Sequence, residues 1–146
     1  MGGKAKKRGK GSVQYGALPY EIAADGEVRV LLVTSRETRR WVIPKGWPMK
    51  GKAPHEAAAQ EAFEEAGVLG EAAPEPIGTY VYWKRRKRTF KLLTVRVFPL
   101  RVRALAETWP EAGERRRAWA PLARAADLVD EPGLVSLLDG FTPPTP

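Results

Sequence analysis

GWPMKGKAPHEAAAQEAFEEAGV occupies Gly46 to Val68, and its reading decides the rest of the chain. Pro54 suits the first turn of a helix, Ala57, Ala58, Ala59, Ala62 and Ala66 favour its continuation, and Gly67 supplies a left-handed stop. One short helix is expected over residues 54–66. Glu61, Glu64 and Glu65 then stand at i, i+3 and i+4, so three carboxylates share one face. Like charges at that spacing repel unless a cation sits among them. Hard divalent ions take carboxylate oxygens, keep several waters and complete their shell with substrate phosphates, so the cluster points to phosphate chemistry. A solvated acidic helix face is the plainer alternative.

Upstream, Trp41, Val42 and Ile43 predict a short strand ended by Pro44, which delivers Lys45 and Gly46 to the helix. A glycine there lets the backbone approach a ligand closely. Residues 12–23, SVQYGALPYEIA, predict a strand interrupted near Gly16 or Pro19. Asp25-Gly26 signals a turn, and residues 27–35, EVRVLLVTS, pass from alternation into a continuous apolar run, the pattern of a strand buried on both faces.

Downstream, EAAPEP after Gly70 reads as a polar connection. Thr79 to Trp83 and Thr89 to Leu105 read as the two arms of a hairpin whose tip carries Lys84, Arg85, Arg86, Lys87 and Arg88. Five adjacent cations are commonly a solvated loop, but ligands with several phosphates need cations beyond the metal to hold the groups that do not react. Residues 107–117 read as a polar loop. Trp119, Leu122, Ala126 and Val129 then recur at near-helical spacing and predict a second helix, and Pro132 to Leu138 a third. Strands, helix, strands and helices in that order suit an α+β sandwich with the sheet between helices.

The chain has 146 residues, 43% of them hydrophobic, which suffices for one domain with a sizeable core. It has no cysteine, which excludes disulfides, thiolate metal sites and cysteine nucleophiles, and agrees with a reducing, cytoplasmic setting. The single histidine, His55, sits more than a turn from the glutamates, so a metal must be held by oxygen. The formal charge of +8 attracts phosphate-rich ligands or nucleic acid. Lys4, Lys6, Lys7, Arg8 and Lys10 concentrate part of it in a head, residues 1–11, expected to be disordered, and a loose tail is expected over residues 142–146. No run of eighteen apolar residues occurs, so no membrane span is expected.

The spacing from Gly46 through Glu61, Glu64, Glu65 and Gly67 to Val68 resembles the Nudix box: a glycine, a glutamate six positions on, then Arg-Glu-U-x-Glu-Glu-x-Gly-U, with U aliphatic. Lys52 stands at the first glutamate of that pattern and Gln60 at its arginine, the residue that in the family helps orient the catalytic glutamates. The resemblance spans Ser12 to Phe141 and implies a Nudix-type α/β/α sandwich with a mixed β-sheet over residues 12–141. The run WVIPKGW and the basic hairpin KRRKRTF look like the branch of diphosphoinositol polyphosphate phosphohydrolases and dinucleoside polyphosphate hydrolases.

That likeness implies a metal-dependent hydrolase in which water attacks phosphorus in a diphosphate linkage of a small polyphosphate. Glu61 and Glu65 would be metal ligands, Glu64 a ligand or general base, and the carbonyl at Gly46 a further ligand. Mg²⁺ is the implied ion, with Mn²⁺ able to serve. Lys45, Arg40, Arg86 and Arg88 are the expected phosphate contacts. A homodimer is an assembly the fold allows. The rival from another class is a module with little or no turnover that holds RNA or nucleotides on its basic surface, which the retained glutamates disfavour.

Overall fold

A computed structural model describes residues 11–145. The expected disordered head therefore lies, but for Gly11, outside the described residues. The apolar pattern of the N-terminal third folds as β1 (Val13–Ile22) and β2 (Val28–Thr34), joined by a turn in which Gly26 takes a φ of 87°. Two short strands follow, β3 (Trp41–Val42) and β4 (Lys45–Gly46), and then α1 (Pro54–Ala66). The remaining elements are β5 (Val68–Ala72), β6 (Gly78–Arg85), β7 (Phe90–Leu105), β8 (Arg117–Pro121), α2 (Leu122–Leu128) and α3 (Pro132–Asp139).

All the strands belong to one mixed sheet with the order β3-β2-β1-β7-β5; β4 also pairs with β1, β6 with β7 and β8 with β2. The central pair is parallel, β1 lying along β7 from Val13 opposite Thr94 to Tyr20 opposite Arg101. Because strand side chains alternate between faces, β2 feeds two cores. Leu31 and Val33 join Ala17, Phe98, Leu100 and the alanines Ala58, Ala62 and Ala66 of α1. Val30 and Leu32 join Leu18, Tyr20, Val95 and Val97, covered by Ala125 and Ala126 of α2 and Leu134 and Leu138 of α3. The sheet is thus sandwiched between α1 on one side and α2 with α3 on the other. Among the described residues no helix is long and apolar enough to cross a membrane.

Several elements differ from the sequence expectation: Lys45 and Gly46 pair as a strand, Lys84 and Arg85 extend β6 rather than sit in the hairpin tip, and three further differences follow. β1 is continuous, because its partner on one side changes from Lys45, opposite Gly16, to Val30, opposite Tyr20, and Pro19 falls in the gap between them. A residue without an N–H costs little where that side makes no ladder bond. Residues 68–72 form a strand where none was expected. It is short, holds Gly70 and Glu71, and depends on β7 for its ladder, with a register shift between Leu69 and Gly70. Trp119 belongs to β8 rather than to the second helix, which begins only at Leu122. Ala120 faces the α2/α3 core while Trp119 packs on the α1 side, a period of two that two small alanines concealed.

Candidate active site

α1 begins at Pro54, and the Glu56 carboxylate accepts the Ala53 N–H at 2.8 Å, which satisfies one of the amides left over at a helix start. Its end is tied down more heavily. The last carbonyls of a helix lack intrahelical donors, and here the loop after β7 supplies two and the start of β8 a third. Glu111 N donates to Glu64 O at 3.0 Å, Trp109 Nε1 to Glu65 O at 3.0 Å, and Arg117 Nη1 to Ala66 O at 2.8 Å. Gly67 closes the helix with a φ of 67°, in a space where a Cβ would meet the Trp109 ring and Arg117. The Arg117 guanidinium stacks 3.9 Å from the Trp109 ring.

Held this way, α1 presents Glu61 and Glu65 to a cleft of about 520 Å³. Gly46 forms the facing wall, and a Cβ there would occupy the position of the Glu61 carboxylate. The absent side chain is the space the carboxylate fills. Glu64 is buried as well, but it does not line the cleft; its Oε2 accepts from Gln60 Nε2 at 2.7 Å. Gln60 thus bonds one of the glutamates without bringing a charge.

Burial, the largest influence, lifts the Glu65 carboxyl to about 8, although Arg115 and Lys45 pull it down. Desolvation likewise lowers the Lys45 ammonium, against the raising influence of Glu65 and Glu131. Lys45 lies 4.8 Å from the centre of the Tyr82 ring, whose hydroxyl donates to Gln14 at 2.7 Å. The Arg115 side chain lies at the cleft wall, 10% exposed. Its Nε donates to Glu111 at 2.7 Å and its Nη1 to Thr34 O at 3.0 Å, while Nη2 stands 3.8 Å from Glu65 Oε2.

The expected phosphate contacts divide. Lys45 and Arg40 line the cleft, but Arg40 is engaged there by Glu131 at 2.9 Å and Asp130 at 3.3 Å. Arg86 and Arg88 lie in the turn beyond the lining, which takes Lys84 and Arg85 instead. At about 3.3 Å per residue, one step past the strand end carries a side chain over the rim. Arg36, Arg115 and Glu111 also line the cleft and were not expected. They come from loops whose only signal in the sequence is polarity. Trp47, Trp83 and Phe90 complete the wall, with Trp83 63% and Phe90 62% exposed.

A NUDIX domain family model matches residues 20–139. Nudix hydrolase 21, chloroplastic, of Arabidopsis thaliana is 33% identical over 129 residues, covering 86% of this chain and 64% of its own. The chain belongs to the Nudix hydrolase family. Its enzyme class is that of a Nudix-type pyrophosphohydrolase. Diphosphoinositol polyphosphate phosphohydrolase 2 of Rattus norvegicus is 33% identical over 109 residues, 73% of this chain and 57% of that protein. The Nudix chain thus spans about two thirds or less of these relatives' lengths. A C. elegans Ap4A hydrolase binary complex superposes with a TM-score of 0.65 at 22% identity, covering 88% of this chain and 93% of the other, which supports the fold.

Nudix hydrolases generally use divalent metal ions. Among the described residues no group of three acidic side chains converges tightly enough to hold a cation alone. The donor set nevertheless fits a magnesium-like ion. Glu61 and Glu65 offer hard oxygens on one cleft wall, Gly46 brings a backbone opposite them, and such an ion prefers to leave positions for water and substrate phosphate.

Proposed function

We propose that this Nudix enzyme hydrolyses a diphosphate linkage in a small, phosphate-rich substrate of the dinucleoside polyphosphate or diphosphoinositol polyphosphate class. The observation that carries the proposal is the opening of Glu61 and Glu65 into one cleft with Lys45, Lys84 and Arg85. Bound there by Glu61, Glu65 and the Gly46 carbonyl, Mg²⁺ would neutralise phosphate charge and acidify the attacking water. Glu64, bonded to Gln60 and set back from the cleft lining, would reach the ion or the attacking water as ligand or general base only by turning toward the cleft. The chain's own cations hold the phosphates that do not react, and water enters from the open side of the cleft.

Between the two substrate classes, the aromatic wall favours the dinucleoside polyphosphates. Trp83 and Phe90 expose most of their surface beside the cations, and a nucleobase offers a π-face that an inositol ring lacks. Hydrolysis of a panel of diphosphate-linked compounds with Mg²⁺, with products resolved chromatographically, tests the reading. Glu65→Gln should abolish turnover while leaving the circular dichroism spectrum unchanged. Absence of turnover across the panel by the wild-type protein would refute it.

A further inference from the structure

The largely covered side chain of Arg115 lies against α1, and each part of its guanidinium has a direction. Nε is clasped by Glu111 at 2.7 Å and Nη1 by the Thr34 carbonyl at 3.0 Å, which leaves Nη2 to face Glu65 Oε2 at 3.8 Å. The clasp is itself fixed. Glu111 N bonds the Glu64 carbonyl, and Thr34 exchanges two bonds with Arg116, its N–H donating to Arg116 O at 3.0 Å and its Oγ1 accepting from Arg116 N at 2.9 Å. The planar fork is therefore set by two neighbours before it meets Glu65. On α1 itself, position 60 offers only an uncharged amide, and that amide is bonded to Glu64.

We propose that Arg115, delivered by the loop between β7 and β8, is the positioning residue for Glu65 and supplies from outside the helix the positive charge that Gln60 does not. This rests on the functional reading above, in which Glu65 is a ligand. The residue acts through Glu65: its guanidinium, fixed by two other partners, orients one carboxylate oxygen and sets a positive charge beside the wall where a cation would be held. A guanidinium suits the task because it cannot surrender its proton in the buried setting, whereas a lysine could.

The test uses the full-length chain and the variants Arg115→Gln, Arg115→Lys, Glu65→Gln and the double Arg115→Gln/Glu65→Gln. In EDTA at alkaline pH, Arg115→Gln should lower the thermal midpoint by roughly 5 °C, and adding Glu65→Gln should restore most of it. Mn²⁺ titration followed by electron paramagnetic resonance should show binding weakened on the order of 10–100-fold in Arg115→Gln, and partly regained in Arg115→Lys. With substrate and Mg²⁺, kcat should fall by a similar factor while KM stays about the same. A double variant as unstable as Arg115→Gln would mark the residue as a loop clamp, and unchanged Mn²⁺ affinity or a rise in KM at constant kcat would mark it as a substrate contact; either result overturns the proposal. The melting and Mn²⁺ measurements need no substrate, so they decide the role of Arg115 even if the substrate reading fails.

Discussion

A single missing methyl group at Gly46 makes room for the carboxylate of Glu61, which occupies the volume a Cβ would need. Gly46→Ala should therefore leave the sheet intact, since alanine is allowed in a strand, but push Glu61 aside. Misplacement of a catalytic group by about 1 Å can cost on the order of 100-fold, and kcat should drop accordingly with little loss of melting temperature. Glu65 carries a second consequence. Its carboxyl is raised by burial to about 8, so without metal the folded chain holds a proton that the unfolded chain has released. That contribution to stability is complete below the ordinary carboxylate range and is lost as pH rises through about 8. In EDTA the thermal midpoint should decline over that window, and Glu65→Gln should flatten the decline. At this scale the sequence was informative about the glutamates and Gly46, because helical spacing alone puts Glu61 and Glu65 side by side. It was silent on Arg115 and Glu111, whose roles depend on where a polar loop lands on α1.

α1 sits close to the sheet because its buried face is built of Ala58, Ala62 and Ala66, packed on Leu31, Val33 and Phe98. Ala62 is completely buried, so Ala62→Leu would force α1 outward and carry Glu61 and Glu65 with it. Overpacking of this kind costs about 1–3 kcal/mol, which denaturant unfolding would measure, and activity should fall further than stability. The limits of α1 were legible because Pro54 and Gly67 mark them chemically. β5 and β8 were not, since each is five residues long and owes its strand character to a partner, β7 or β2, far off in the chain. β1 was legible as a strand but not as a continuous one. Only the change of partner from β4 to β2 along its edge makes Pro19 harmless, and that is a property of the assembled sheet.

Across the whole molecule the charge of +8 becomes useful where the fold collects it. Six cations and four carboxylates line the cleft, and several of those cations are already committed: Arg36 to Glu114, Arg40 to Asp130 and Glu131, Arg115 to Glu111. Lys45, Lys84 and Arg85 line it with no carboxylate ion pair among the described residues. A polyphosphate would exchange solvent for the exposed Lys84 and Arg85, whereas for Arg40 it would have to compete with two acids. Lys84→Ala and Arg85→Ala should therefore raise KM about tenfold each, the effect of losing one charge-assisted contact, with kcat nearly unchanged. Arg88→Ala, in the turn past the rim, should change KM by much less. The same contrast should appear in ionic strength, because screening acts on whatever attraction remains exposed to solvent. KM of the wild-type protein should climb steeply with salt, and that slope should flatten in the Lys84→Ala/Arg85→Ala double variant while persisting in Arg88→Ala. Equal slopes in all three would place the electrostatic attraction elsewhere on the basic surface and would leave the hairpin arm without a part in substrate capture.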